Sequence, residues 1–246
     1  MRPVATLSAP ITALAVAAVL TAAPASAQTE RPWSVSFDAG AQIAVSGDAH
    51  GGGTGTVLTL PTTVQAKSYG DVFGPGFFWA ASVGYKVSPN GEIRVTGSYT
   101  ANPADRLQVG TVATLPLFAE FHDYKAFGMD FGYRHYLGTG AAKPFIGGSG
   151  GFTRVRKIDS TLTVPAASVT LANVPFYEDS TVPSFAVNGG VQMSLTDMLA
   201  FQVGAELRWH GDLKENEGLA GTGLENINDE TRRWAMPVTA GLTVRF

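Results

Sequence analysis

The chain contains no cysteine. Disulfides, thiolate metal centres and thiol nucleophiles are therefore excluded together. Charge is scarce: Asp, Glu, Lys and Arg make up 15% of 246 residues, against roughly a quarter in soluble domains. Nothing basic stands out as a nucleic-acid footprint, since 17 Lys and Arg face 20 Asp and Glu. The four His are scattered, and no two share a strand face at ligand spacing. Apart from the N-terminus there is no long apolar run, which excludes spanning helices and permits a barrel.

What is abundant is glycine, 29 of 246 residues, and alternation. Residues 1–27 read as a cleavable leader: Arg2 is their only charge, Ile11 to Leu20 is apolar, and Ala25-Ser26-Ala27 is a small-x-small cleavage site. Mature protein would span 28–246 as one domain, and loss of Arg2 brings the net charge to about −4.

From Trp234 to Phe246 the chain alternates without a break. Trp234, Met236, Val238, Ala240, Leu242, Val244 and Phe246 form one period-2 row, and the intervening row is small or polar. Seven further rows follow the same rule, beginning near Trp33, Phe77, Ile93, Phe127, Ile146, Phe185 and Leu199. Most approach the 9–11 residues of a tilted membrane strand. Connections alternate in length. Ser88-Pro89-Asn90-Gly91 is short, with an Asn-Gly pair that tolerates positive φ, as are 138–143 and 196–198. Those at about 46–75, 100–121, 157–183 and 211–233 are long. Short turns on one side and long loops on the other characterise outer-membrane barrels. Thr56 to Val64 and Ser160 to Ala172 are rich in Thr, Val and Leu. They read as strand extensions above the membrane, or as two more membrane strands.

Period-2 rows also fit a soluble sandwich or a lipocalin-like barrel with its apolar face inward. The polar rows decide: they are rich in Gly, Ala and Ser, with a few long charged residues, which suits an eight-stranded interior just wide enough for side chains. The fold expected is all-β, an eight-stranded antiparallel up-and-down transmembrane barrel with long extracellular loops and short periplasmic turns. Trp33, Trp79, Tyr85, Tyr99, Tyr133, Trp209, Trp234 and Phe246 are expected at its two interfaces.

These features resemble the small OmpA-like outer-membrane β-barrel domain proteins of Gram-negative bacteria, with OmpX- and OmpW-like barrels as relatives. The resemblance rests on the leader, on the run Lys143-Pro144-Phe145-Ile146-Gly147-Gly148-Ser149-Gly150-Gly151-Phe152, and on the closing Val244-Arg245-Phe246. It implies residence in the outer membrane among lipid and lipopolysaccharide. It also implies that Phe246, supported by Trp234, Leu242 and Val244, is the signal read by the barrel-assembly machinery. No peptidoglycan-binding domain is expected.

The inward rows hold Asp38, Glu92, Asp130 and Glu206 with Arg94, Arg134, Arg208 and Arg245. Such charges in a narrow interior are expected to pair, as a closed polar core or as a switchable, narrowly conducting path. His210 beside Glu206, Arg208 and Asp212 is the nearest approach to a catalytic group, without a serine, and no enzyme is expected. No metal site or cofactor is expected. His50 sits beside Gly51-Gly52-Gly53, a run that suits a mobile loop. Acids of the last long connection (Asp212, Glu215, Glu217, Glu225, Asp229, Glu230) are either solvated or bind divalent cations between lipopolysaccharides. The functional readings are a structural or surface-interaction barrel, a narrow channel for small or apolar solutes, and a soluble periplasmic binding barrel. A closed barrel has no edge strand that requires a second copy, so a monomer is expected.

Overall fold

A computed structural model describes residues 31–57, 59–229 and 231–246. The expected leader, 1–27, lies outside the described residues. The chain runs through β1 (Trp33–His50), β2 (Gly53–Val57), β3 (Leu60–Val64), β4 (Lys67–Ser68), a one-turn helix α1 (Tyr69–Val72), β5 (Gly76–Ser88), β6 (Gly91–Asn102), β7 (Arg106–Val112) and β8 (Leu115–Phe121). It continues through β9 (Tyr124–Tyr136), β10 (Ala142–Val155), β11 (Ile158–Val164), β12 (Val169–Tyr177), β13 (Ser180–Ser194), β14 (Leu199–His210) and β15 (Arg233–Arg245).

Eight antiparallel strands close into a barrel in the order β1-β5-β6-β9-β10-β13-β14-β15. Closure runs along β15 and β1, from Ser34 opposite Arg245 to Gly47 opposite Arg233. The faces are the inverse of a soluble barrel. Phe37 is 55% exposed and Phe131 61%, while Asp38 and Asp130 beside them are 8% and 2% exposed. Alternation thus turns the apolar rows outward to lipid and the polar rows into the bore.

Aromatic side chains mark two levels. At the short-turn end, Trp33 packs on Tyr85 with centroids 4.8 Å apart, Phe246 exchanges backbone hydrogen bonds with Trp33, and Tyr133 faces outward nearby. At the other end Trp79, Tyr99 and Phe127 are direct register neighbours on β5, β6 and β9, and Phe185, Trp209 and Trp234 on β13, β14 and β15.

The short turns are tight, though not as the Asn-Gly pair implied. Pro89 and Asn90 are the central residues between Ser88 and Gly91. Neither Asn90 nor Gly91 has a positive φ. Proline at the first central position already fixes φ near −65°, and a bulge between Lys86 and Ser88 absorbs the remaining twist. In the β13–β14 turn, the Thr196 hydroxyl accepts from the amides of Met198 and Leu199 at 3.2 and 2.9 Å.

The long connections, expected as extracellular loops, are where the structure departs most from expectation. They are largely not loops. Three of them fold into hairpins, β2–β3, β7–β8 and β11–β12, that join edge to edge in a second sheet, β2-β3-β7-β8-β11-β12. Val64 faces Gly110 across one junction and Leu162 faces Ala119 across the other. None of these strands enters the barrel, so the count there is eight, not ten. A lone hairpin is marginal in water, whereas three sharing one apolar face are not. Residues 211–229 bridge the two edges: Thr56 N donates to Thr222 O at 2.6 Å and Asn216 N to Phe176 O at 3.3 Å. They also contribute Leu219, Leu224 and Ile227 to the interior. This cap, with α1 at its base, holds the apolar core of the chain, including Val72, Phe73, Phe121, Ile158 and Phe176. The ends of β9, β10 and β13 join this core through Tyr124, Ala126, Val155 and Val182, whereas deeper in the barrel most described apolar groups face lipid, with Phe78 and Phe145 as buried exceptions.

Candidate functional site

The bore and the cap above it are the two places where functional side chains converge. In the bore, the eight charged residues expected there all point inward. Seven are buried, and the Glu206 side chain is 20% exposed. They do not pair uniformly. Arg208 takes two acids, with Nη1 2.7 Å from Asp130 Oδ2 and Nε 2.6 Å from Glu206 Oε1. Asp130 also accepts from Ser184 Oγ at 3.2 Å. Because β14 and β9 are not neighbours, the Arg208–Asp130 pair is a tie across the bore.

Nearer the short turns, hydroxyls and amides take the place of ion pairs. Glu92 accepts from Tyr136 OH at 2.8 Å and from Ser34 Oγ. Arg134 Nη1 donates to Gln202 Oε1 at 2.8 Å, and Gln202 donates in turn to Asp38. Arg245 donates to Gln192, whose amide reaches Thr243 at 3.3 Å. Arg94 Nε has no hydrogen-bond partner. Uniform Arg–carboxylate pairing is therefore corrected to one triad plus a glutamine relay. Register alone does not explain this: Glu92 is the register partner of Arg134, but its oxygens accept from Tyr136 and Ser34, and the Arg134 guanidinium reaches Gln202 instead.

Phe145 fills the bore, and sequence reasoning passed over it as the inward neighbour of an outward row. It is 5% exposed, and the Arg134 guanidinium lies 3.9 Å from its ring centroid, a cation–π contact. Gly190 and Gly204 make room for it. A Cβ at Gly190 would meet Phe145 Cζ at 2.7 Å and the Val203 carbonyl oxygen at 2.2 Å. The space left among Asp38, Arg94, Arg134, Asn188 and Arg208 is a cavity of about 90 Å³, room for a few waters.

The cap is centred on His50, which corrects the expectation of a mobile loop. It is 1% exposed, with ring centroids of Phe121 and Phe176 at 6.0 and 5.9 Å and Nδ1 2.9 Å from Gly51 O. Burial lowers its pKa below 6.5, with Lys67 adding to the fall while the Gly51 contact and Asp48 oppose it. An apolar cavity of about 40 Å³ lies beside it, lined by residues such as Val64, Leu117 and Ile227. Where cap meets barrel, Arg233 stacks over Tyr69 and Tyr124 at 5.0 and 4.7 Å and donates to the Tyr124 hydroxyl. Burial pushes the Tyr69 phenol up to about 12. Tyr177 OH ties the cap to β1 by donating to Ala49 O. Sequence singled out His50 alone, as part of a mobile loop, and did not bring this cluster together, because its members come from five separate segments.

His210 and Asp212 do not form a dyad. His210 is buried with Nδ1 unpartnered, whereas Asp212 accepts from Thr231 N at 2.8 Å and lies 3.6 Å from Arg232. Among the described residues no three acidic or histidine side chains are placed to hold a metal ion. Glu225 accepts from the Gly223 amide at 3.1 Å, and Glu230 lies outside the described residues. At the end of β15, Leu242 and Val244 face lipid and Phe246 is exposed.

No curated protein matches the chain. Solved structures of similar fold include Neisserial surface protein A (16% identical, TM-score 0.47, covering 87% of this chain and 97% of that one). Others are OprG of Pseudomonas aeruginosa (11%, 0.45, 89% and 99%) and the outer-membrane protease OmpT of Escherichia coli (8%, 0.46, 90% and 99%). The family described as outer membrane protein beta-barrel domain matches residues 12–246. With a closed barrel turned apolar side outward, this chain belongs to the outer-membrane β-barrel domain family.

Proposed function

We propose that the protein is a closed outer-membrane barrel that carries a folded surface module, and that it works by contact through that module rather than by passing solute. One observation carries this: the long connections are spent on a six-stranded sheet with its own apolar core. A rigid platform of that kind presents its outer surface and hairpin tips to partners. The bore beneath supports the same reading. Phe145 and the Arg208 triad cross it, and about 90 Å³ is left among the side chains.

The leader would deliver the chain for export. Phe246, with Trp234, Leu242 and Val244, would be recognised by the barrel-assembly machinery, as the resemblance implies. Lipid and lipopolysaccharide would surround a monomer, since a closed barrel offers no free edge.

Two measurements test the proposal together. Refolded protein in planar bilayers is expected to give no discrete conductance; steps in the wild type would overturn the closed barrel. An epitope inserted between Ala113 and Thr114, at the β7–β8 tip, is expected to be labelled on intact cells. Labelling that requires permeabilisation would overturn the surface module.

A further inference from the structure

The outer wall, just beyond the membrane, carries a site that neither the bore nor the cap explains. Arg154 follows Phe152 on the outward face of β10, Arg156 lies just past the end of that strand, and all three are exposed. Arg154 is the register partner of Phe127, which belongs to the aromatic level with Trp79 and Tyr99. Arg156 lies one outward position further from the membrane, and its guanidinium leans back to 5.9 Å from the Phe127 ring centroid. The two Cα atoms are about 6.6 Å apart at the strand rise. Both arginines border a concave space of about 940 Å³ that also takes in Phe127, Lys125 and Lys157.

Acids are present on this wall, and most are already engaged. Asp123 lies 3.4 Å from Lys125. Asp159 lies 2.8 Å from Lys157 Nζ, and Asp179 accepts from the Lys157 amide at 3.1 Å. Among the described residues, neither Arg154 nor Arg156 has an ion-pair partner. Two unsatisfied planar forks therefore sit side by side at headgroup depth, above a lipid-facing aromatic floor.

We propose that this groove seats the phosphorylated headgroup of an outer-leaflet lipid, with Arg154 and Arg156 gripping phosphate and Phe127 packing beneath. The chemistry fits at each point. Guanidinium forks match phosphate oxygens bidentately. Cations at this depth are favoured by anionic lipid surfaces. The aromatic floor continues the face that already meets the membrane. The site is on the barrel wall, so it does not depend on what the cap contacts.

The test uses the full mature protein refolded into bilayer discs of phosphatidylcholine doped with diphosphorylated lipid A, and native mass spectrometry to count retained lipid. Wild type is expected to retain lipid A over phosphatidylcholine. Arg154→Gln with Arg156→Gln is expected to lower that preference about 30-fold, since two cations near an anionic surface each contribute on the order of fivefold. Arg106→Gln, on the cap, is expected to leave it unchanged. Both variants must keep the wild-type heat-modifiable gel shift, which separates loss of binding from loss of fold. Equal retention by the double variant, or equal retention of dephosphorylated lipid A by wild type, would overturn the site. Titration of lipid-free protein with inorganic phosphate is expected to show no saturable binding. Saturation lost in the double variant would reassign the groove to free anions and overturn the lipid.

Discussion

Arg208→Met tests how much the bore depends on a single tie. The guanidinium reaches Asp130 and Glu206 at 2.7 and 2.6 Å, and the side chains of Arg208 and Asp130 are 5% and 1% exposed. Removing the cation leaves Asp130 stranded in the bore, and breaking a buried pair from one side costs about 3–5 kcal/mol. Glu206, with its side chain 20% exposed, recovers part of its hydration, so the lower end of that range, about 3 kcal/mol, is expected. The contrast is Lys125–Asp123, where both side chains are more than 40% exposed; Lys125→Met should cost no more than about 1 kcal/mol. Urea unfolding in lipid vesicles, followed by fluorescence of the four tryptophans, measures both. A third variant adds Asp130→Asn and Glu206→Gln to Arg208→Met, and is expected to regain most of the loss because no charge is left unpaired. The reasoning fails if Arg208→Met moves the midpoint no more than Lys125→Met, or if the neutralised variant regains nothing.

Val238→Arg places a charge on the lipid face near the middle of β15 and should cost about 2–4 kcal/mol in the same assay; an unchanged midpoint would mean the faces are inverted. Gly190→Ala drives a Cβ to 2.2 Å from the Val203 carbonyl oxygen and should cost about 1–3 kcal/mol, with Gly138→Ala, which meets nothing within 4 Å but carries φ +107°, as a milder comparison. His50 supplies a pH dependence. Its folded pKa lies below the ordinary histidine value of 6.5, so the unfolded state binds the proton more readily, and the stability due to neutral His50 is complete above 6.5 and is lost as pH falls below it. Protection factors of amides in β8 and β12, corrected for the intrinsic exchange rate, should therefore fall between neutral and mildly acidic pH, and His50→Phe should flatten the change. A pH-independent wild type would exclude His50 as its source.

Much of the barrel was legible because membrane strands obey a local rule. Trp234 to Phe246 alternates by itself, and the rows at Trp33, Phe77 and Leu199 repeat it, so strand count and outward face follow without knowing which strand pairs with which. The inward charges were legible for the same reason, since a period of two fixes the face of Asp38 or Arg208. Their partners were not. Arg134 meets Gln202 rather than an acid, and residues 68 positions apart are joined only by the stagger of the closed barrel. Phe145 was hidden because its own row reads as small residues around one aromatic. The room it needs is provided by Gly190 and Gly204 on other strands.

The cap shows the limit most clearly. Thr56 to Val64 and Ser160 to Ala172 announced β structure, but their strands are five to nine residues long, too short to declare a partner. His50, beside three glycines, carried the signature of a mobile loop. It became a core residue because Phe121 and Phe176 arrive from two other hairpins. Sequence alone thus determined the solvent of this protein, lipid on the outside of eight alternating strands, since that depends on each strand's own period. Only the tertiary structure decided that the bore is filled and that the long connections form one folded cap. Those outcomes rest on contacts between distant segments, whose cost in chain entropy is met only when all of them assemble together.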